Sequence, residues 1–345
     1  MKSIKYIFFL VLVIIIGASM YVATLESNYD IKQTRLMKVP AEVVFKNINN
    51  FNKWGNWSPW YELDSTIVAS SEVNSGVGAS YIWAGKDGNV SVKTISLIPN
   101  KEIIQQFDLD SESTSEMYWN LTELEGATEV TWGMRGENSF GKKIHWLMNG
   151  GIEKNMTPLY QRGLELLEQQ LLKEMDIHSI DYKGEVYYGG GYYLYQTTSC
   201  KNADAPKKMA EMFPKIVNYM ATNQIEASGK PFTLNHQIDL INNTVMFSAC
   251  IPVKERIITE GEVLTGFLEP QKTFKIIFKG NYKFLPVSWP NFYKTLTEEG
   301  YTAIEKGYSF EIYTMSPNET ANPAEWLTEI YIPIEDTVVE NNEQL

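Results

Sequence analysis

This 345-residue sequence contains little of what several classes of protein require. It has two cysteines and three histidines, which exclude a disulfide scaffold and a Cys/His zinc module. Acidic side chains outnumber basic ones by 42 to 30, so the formal charge is −12 and the chain lacks the basic field that non-specific nucleic-acid binding requires. No HExxH, GxSxG, Cys-x-x-Cys or phosphate-loop motif occurs. We therefore expect no metal, no cofactor, no nucleic-acid partner and no catalytic residue that a motif would identify.

The length and the apolar content indicate two folded domains. Single hydrophobic cores rarely grow beyond about 250–300 residues, and 44% of this chain is hydrophobic. The polar stretch DIHSIDYKGEV, at 176–186, marks a boundary between them. We predict a first soluble domain at 30–176, a second at 184–335, and an acidic tail at 336–345.

An uncharged apolar run, YIFFLVLVIIIGASMYVA, extends from Tyr6 to Ala23. Its length is at the lower limit for a membrane span and also fits a signal peptide. Because the run continues without a clear small-x-small cleavage site, we interpret residues 1–25 as an uncleaved transmembrane anchor. Lys2 and Lys5 precede the run, which predicts a single-pass membrane protein with a cytoplasmic N-terminus and both soluble domains outside the cytoplasm.

The first soluble domain shows one strand, a short helical pair, a run of alternating strands and a long amphipathic helix. Three segments carry a resemblance to the START-like, or polyketide-cyclase/SRPBCC, superfamily: VPAEVVFKNINNFNKWGNWSPW, TEVTWGMRG and PLYQRGLELLEQQL. The resemblance implies a helix-grip fold, in which a curved sheet wraps a long helix. It also implies a cavity between them for an apolar or amphipathic ligand.

Tryptophan is concentrated in this domain, since seven of the nine lie between Trp54 and Trp146. Those of the motif FNKWGNWSPW fit a core plug at the junction of helix and sheet. Ligand cavities are mostly apolar, so strand tryptophans suit one, although alternation alone leaves open whether they face the core instead. The tryptophans that we predict to contact a ligand are Trp83, Trp119 and Trp132.

The second domain contains an internal repeat. FPKIVNYM parallels WPNFYKTL, GKPFTL parallels GYSFEI, and MFSACIPV parallels LTEIYIPI, at an offset that drifts only from 76 to 81 residues. An aromatic strand precedes the helix of each copy, so each copy is read as strand, helix, strand, strand. The predicted fold class of the chain is therefore α+β, with a membrane helix, a helix-grip domain and a duplicated domain. Two such units can pair their sheets and leave a cleft between them.

This duplication resembles the GyrI-like domain, the effector-binding module of some AraC- and MerR-type regulators. The resemblance is strongest in the ending FEIYTMSPNETANPAEWLTEIYIPI. It implies a cleft for small molecules, often hydrophobic cations, with a buried glutamate on the penultimate strand, which falls on Glu311. The position equivalent to Glu311 in the first copy is Thr233. By repeat position, the aromatic residues that we predict beside Glu311 are Trp289, Tyr308 and Tyr313.

Three functions remain open on this sequence. The first is a membrane-anchored protein that binds hydrophobic or cationic small molecules, with Glu311 as the charge partner in the cleft. The second is a small-molecule hydrolase in which Glu311 acts as general base, since a carboxylate in an apolar cleft suits either role. The third is a regulator or inhibitor that binds an unknown protein partner through its acidic surface. Cys200 and Cys250 form a disulfide or remain buried thiols.

Overall fold

A computed structural model describes residues 2–64, 68–71, 73–85, 88–109, 113–239, 241–305 and 307–335. The chain divides into two compact units, Met1–Glu174 and Met175–Leu345. The acidic tail predicted at 336–345 lies outside the described residues. Each unit is an antiparallel sheet with helices, so the fold is mixed α and β.

The apolar run near the N-terminus forms helix α1, Lys2–Thr24. The segment Ile4–Thr24 has a mean hydropathy of 2.6 and only 6% of it is buried, and it is the single helix among the described residues with the length and composition to cross a membrane. Leucine, isoleucine, valine and phenylalanine cover all its sides, which is why it has no polar face to present to water.

The rest of the first unit is a seven-stranded sheet with four helices. Its elements are β1 (Asn28–Met37), α2 (Ala41–Ile48), α3 (Trp60–Leu63), β2 (Val68–Ser70), β3 (Ser80–Gly85), β4 (Gly88–Ile98), β5 (Glu102–Leu109), β6 (Ser113–Leu124), β7 (Ala127–Glu137), α4 (Phe140–Met148) and α5 (Ile152–Met175). The strand order is β1-β7-β6-β5-β4-β3-β2, and every neighbouring pair is antiparallel. Short turns between successive strands of alternating polarity account for this meander.

Helix α5 packs against the sheet through one apolar face. Its buried residues recur at helical spacing and include Tyr160, Leu164, Leu167 and Leu171. Gly163 lets the helix approach the sheet closely, because a Cβ there would lie 2.5 Å from the Trp132 ring. The core of this unit therefore lies between α5 and the α5-facing side of the strands.

The second unit is an eight-stranded sheet with two principal helices. Its elements are β8 (Ser179–Tyr188), β9 (Gly191–Lys201), α6 (Ala205–Thr222), β10 (Phe232–Asp239), β11 (Thr244–Val253), β12 (Leu264–Leu268), β13 (Gln271–Lys279), α7 (Leu285–Glu298), β14 (Ser309–Met315) and β15 (Leu327–Pro333). The strand order is β12-β9-β11-β10-β14-β15-β13-β8.

Two runs of strand, helix, strand, strand occur in this unit, β9-α6-β10-β11 and β13-α7-β14-β15. Their third elements, β10 and β14, are adjacent at the middle of the sheet. Helix α6 packs on β9 and β11 in one hydrophobic cluster, and α7 packs on β13 and β15 in another. The two central strands therefore lie between the strands on which α6 and α7 pack. On the face of the sheet that carries the helices, the side chains of β10 and β14 point into the space between the two helix cores.

The register of β9 and β11 shows whether Cys200 and Cys250 can form a disulfide or remain thiols. Cys200 pairs with Val245, whereas Cys250 pairs with Tyr195, five residues further along each strand. Five strand residues span about 16 Å, far beyond the Cα separation of about 4.4–6.8 Å that a disulfide allows. Both cysteines are free thiols, and Cys250 is buried. The disulfide alternative is therefore wrong.

Candidate functional site

Glu311 lies on the central strand β14, and its side chain points into the space between the two helix cores. Along β14 the side chains alternate, so Phe310 and Ile312 pack in an aromatic cluster on the opposite face of the sheet. Glu311 is 6% exposed, and its partner in the register is Thr233 of β10. The two positions that the sequence analysis predicts to be equivalent are therefore directly opposite each other across the middle of the sheet.

Neutral donors hold the Glu311 carboxylate. The indole Nε1 of Trp289 donates to Oε1 over 3.0 Å, and the hydroxyl of Tyr313 donates to Oε2 over 3.0 Å. The Thr233 hydroxyl is 3.0 Å from the Tyr313 oxygen and completes the chain by donating to it. Trp289 and Tyr313 thus each donate to one carboxylate oxygen, and neither donor carries a charge.

Burial dominates the electrostatics of this carboxylate. It raises the pKa of Glu311, while the hydrogen bonds from Tyr313 and Trp289 lower it and only partly compensate. None of the groups that shift this pKa is a lysine or an arginine. Burial also raises the pKa of the Tyr313 hydroxyl, which the adjacent Glu311 raises further. The site is an acidic group enclosed without a counter-ion.

One further polar atom near Glu311 lacks a partner. Within the described part of the chain, the Tyr282 hydroxyl is buried and makes no hydrogen bond. The Tyr282 ring lies 5.4 Å from the Tyr313 ring. The Asn235 side chain interacts with Glu311 and lowers its pKa. Buried polar groups normally find a partner, so the Tyr282 hydroxyl marks a place that a ligand atom or a water would complete.

Each of the two helices contributes apolar side chains to this site. From α7, Trp289 contacts Glu311, and its ring is 5.8 Å from that of Tyr293. From α6, the Phe213 ring meets the Tyr313 ring edge-on at 6.2 Å, and Met209 Sδ lies 3.8 Å from the Tyr313 oxygen. Aromatic and thioether groups therefore flank a carboxylate on both sides.

The sequence of the second unit matches the family described as the GyrI-like small molecule binding domain, over residues 192–335. Residues 192–335 are a GyrI-like domain. The match includes both helices, the two central strands and every residue that contacts Glu311. None of the curated proteins matches the chain.

Several solved structures are similar to part of this chain at low identity. The EcmrR-DNA complex in EcmrR-RPo has 16% identity and a TM-score of 0.40, covering 57% of this chain and 70% of that one. Protein CV1439 from Chromobacterium violaceum has 14% identity and a TM-score of 0.33, covering 41% of this chain and 96% of that one. SAV2435, solved bound to tetraphenylphosphonium, has 11% identity and a TM-score of 0.34, covering 45% and 94%.

Of the aromatic residues predicted beside Glu311, the structure brings two to it and leaves the third apart. Trp289 and Tyr313 bond the carboxylate directly. Tyr308 is 46% exposed, and its ring contacts His236 at 4.8 Å. Tyr308 precedes β14 and has the same parity as Phe310, so strand alternation directs it to the opposite face of the sheet.

Sequence patterns alone missed Asn235, Tyr282 and Met209 in the GyrI-like domain. The position of Asn235 follows from strand alternation, because it lies two residues after Thr233 and so shares its face. Met209 precedes Phe213 by one helical turn, which places both on the same side of α6. Tyr282 lies in a short turn of helix before α7, where no periodicity identifies its direction.

In the first unit, the three tryptophans predicted to contact a ligand are buried among other rings. Trp119 and Trp132 stack at 4.5 Å, and Trp57 meets both edge-on. Trp83 contacts Trp60 at 5.7 Å. Trp119 donates its indole hydrogen to Gln105 over 3.2 Å, whereas the indole nitrogens of Trp57 and Trp132 have no partner in the described structure. Ring packing fills the region between sheet and α5 around these residues.

A concavity of about 360 Å³ occurs on the other face of this sheet. It is polar, and its lining includes Asp30, Lys32, Tyr118 and Arg135. Tyr118 donates to Asp30 over 2.6 Å, and the Arg135 guanidinium lies 5.3 Å over the Tyr118 ring while it pairs with Glu116. Asp30 and Arg135 thus each have a polar partner, and the concavity is lined by polar and charged side chains of the strands. Among the described residues, no group of three or more His, Cys, Asp or Glu side chains is arranged to hold a metal.

Proposed function

We propose that this chain is a membrane-anchored binding protein for hydrophobic or cationic small molecules, with Glu311 as the charge partner of the ligand. The observation that carries the proposal is the buried Glu311 carboxylate, which has only neutral hydrogen-bond donors. A buried charge is costly unless it is paired, so such a site favours either a proton or a cationic ligand. The GyrI-like domain supplies the class of ligand, since its family binds small molecules.

The surroundings of Glu311 define the chemistry of the ligand. Aromatic faces attract cations and add apolar contact area, and Trp289, Phe213 and Tyr313 provide both. A delocalised organic cation suits this site better than a small hydrated ion, because its own desolvation is cheap. A ligand with a hydrogen-bond acceptor would also give the Tyr282 hydroxyl a partner.

Access to Glu311 requires side-chain movement, because the carboxylate is buried. We propose that the Trp289 indole swings away on α7 and that the cation takes the position of its N–H group.

We also propose that the two strand–helix–strand–strand runs are copies of one ancestral unit. Only the second copy then carries the acid, since Thr233 occupies the equivalent position in the first. One ligand site per chain follows.

The first unit and the anchor complete the proposal. We propose that α1 spans the membrane, with the N-terminus in the cytoplasm and both soluble units outside. We propose further that the first unit is a START-like domain, because its strand order and long α5 fit a helix-grip plan. In this domain Trp83, Trp119 and Trp132 would then fill the space between the sheet and α5 by ring packing, and the ligand site would be the one at Glu311.

Titration calorimetry with tetraphenylphosphonium and with neutral triphenylphosphine oxide tests the role of Glu311. We expect the cation to bind the wild-type chain at least about tenfold more tightly than the neutral compound, a difference of about 1.4 kcal/mol. Glu311→Gln should remove that preference. Glu329→Gln is the matched control, because Glu329 is a strand acid paired with Lys275 at 2.9 Å, on the opposite face. Equal binding of both compounds by the wild type would rule out a charge-selective site.

A hydrolase is the second candidate, and one observation favours it. Burial raises the pKa of Glu311, and a carboxyl with a raised pKa is a stronger general base. Turnover of an epoxide or another electrophilic compound by the wild type, lost in Glu311→Ala, would support the enzyme. Binding of the cation without turnover would support the binding protein.

A further inference from the structure

Helix α4 presents its apolar face away from the protein. On a helical wheel four of its five large apolar side chains share one arc of about 100°, and the fifth, Trp146, lies on the other side. All four are exposed: Phe140 at 47%, Ile144 at 38%, Leu147 at 47% and Met148 at 81%. The half-buried residues of α4 are Lys142, Lys143 and Trp146, and none of its residues is buried. A helix that packs on a soluble core has the opposite orientation, with its apolar face buried and its lysines exposed.

The same helix contacts the end of the apolar helix α1. Lys143 Nζ donates to the carbonyl oxygen of Leu25, the first residue after α1, and the two helices are in contact. Val22, in the last turn of α1, is only 5% exposed, although most side chains of α1 are exposed. The reversed helix is therefore attached where the chain leaves the apolar segment.

The length of α1 sets the depth of this junction. Its 23 residues extend about 35 Å, compared with about 30 Å for the hydrocarbon core of a bilayer. The last turn of α1, and the Lys143 contact with it, would thus fall in the headgroup layer. A helix attached at that depth with its apolar arc facing outward has acyl chains within reach.

We propose that α4 is an interfacial helix that lies in the headgroup layer beside α1 and inserts Phe140, Ile144, Leu147 and Met148 among the acyl chains. This inference rests on the proposed membrane anchor and is independent of the ligand site at Glu311. Charge supports a lipid occupant, because α4 has two lysines and no acid in a chain whose formal charge is −12. Basic amphipathic helices with an aromatic residue at the boundary are typical of membrane surfaces. The first unit would then be held against the bilayer at two points.

Fluorescence of a single label tests this arrangement in the full chain. In a Cys200→Ser background, where Cys250 is buried, Leu147→Cys is labelled with an environment-sensitive nitrobenzoxadiazole dye and reconstituted into phosphatidylcholine–phosphatidylglycerol vesicles. Gln169→Cys is the matched control, an exposed helical position on α5. We expect a blue shift and quenching by spin-labelled lipids at 147 and neither effect at 169. Adding Ile144→Asp should weaken the quenching at 147, and a thermal melt should show the fold unchanged because Ile144 is exposed.

Three outcomes would overturn the proposal. If the chain floats with vesicles but the label at 147 behaves like the label at 169, α4 is in water and only the anchor stands. If the label is blue-shifted but spin-labelled lipids do not quench it, a protein surface covers α4 instead of lipid. If the chain does not float with vesicles, the anchor and the interfacial helix both fail. None of these results would bear on cation binding at Glu311, which calorimetry measures separately.

Discussion

The interiors of the two units differ in how they treat polar groups among aromatic rings. In the first unit, indole rings pack against one another, with Trp119 and Trp132 stacked at 4.5 Å. In the second, an acid is enclosed between two helix cores and is held by Trp289 and Tyr313. Tryptophan therefore fills space in one unit and holds a carboxylate in the other. A concentration of aromatic residues does not by itself locate a binding site; an enclosed charge without a counter-ion is the more informative feature.

The largest expected effect concerns ring packing in the first unit. Trp132 is fully buried and touches Trp57, Trp60, Trp119 and Tyr160. We expect Trp132→Ala to lower the free energy of unfolding of this unit by about 3–5 kcal/mol, because the ring leaves a cavity that its neighbours only partly fill. Urea denaturation followed by tryptophan fluorescence measures it. A loss below about 1 kcal/mol would mean that these rings line an open cavity instead.

Two glycines sharpen the picture of close packing in that unit. A Cβ on Gly163 would lie 2.5 Å from the Trp132 ring, whereas a Cβ on the helical Gly141 would meet nothing within 4 Å. We expect Gly163→Ala to destabilise by about 1–3 kcal/mol. Gly141→Ala should stabilise by about 0.5–1 kcal/mol, since alanine favours the helix. Thermal melts of the two variants check the contrast, and equal shifts would show that α5 does not press on Trp132.

Glu311 should make the free energy of unfolding of the second unit depend on pH. Burial raises the pKa of Glu311 above the 4.5 of an ordinary glutamate, so the folded state keeps its proton to higher pH than the unfolded chain does. The free energy of unfolding therefore falls as the pH rises from about 4.5 through the folded pKa. Glu311→Gln should be more stable than the wild type above that window, by about 1.4 kcal/mol for each tenfold difference in proton affinity between the folded and unfolded states. The two should converge at about pH 4, below the unfolded pKa.

Glu329 provides the opposite case in the same unit. Although burial acts against it, hydrogen bonds from Tyr331 and Lys275 hold the pKa of Glu329 below its usual value. Its contribution to stability is present above the unfolded pKa and is lost as the pH falls through the folded one. Glu329→Gln should thus be less stable than the wild type near neutral pH. Urea titrations of both variants at about pH 4 and about pH 7.5 make the comparison, and variants that shift in the same direction would contradict it.

Much of the fold could be read from the sequence, because alternation and helical spacing report which faces are apolar. The two antiparallel sheets, the apolar N-terminal helix and the GyrI-like domain follow from such patterns together with the ending that begins at Phe310. These patterns do not report how deeply a side chain is buried or which neighbours cover it. Alternation assigns Trp132 to one face of its strand, but only tertiary packing shows that another ring covers it.

The candidate site was predictable to a similar extent. The family motif pointed to Glu311, and repeat position pointed to Trp289, Tyr308 and Tyr313. The structure places Trp289 and Tyr313 on the carboxylate, whereas Tyr308 lies on the opposite face of the sheet, a difference that strand parity explains. The contacts of Tyr282 depend on how a short loop folds against Trp326, at 4.6 Å, and no local pattern encodes that distance. The outward face of α4 was likewise hidden, because an apolar arc reads the same whether it faces a core or a membrane.

The affinity for tetraphenylphosphonium as a function of pH tests the central claim most directly. Because Glu311 must be charged to pair with a cation, the affinity of the wild type should rise with pH as this carboxyl loses its proton. The affinity of Glu311→Gln should be about tenfold weaker at high pH and independent of pH, which corresponds to about 1.4 kcal/mol. If the wild type and Glu311→Gln bind the cation equally at every pH, Glu311 is not the charge partner and the proposed function is wrong.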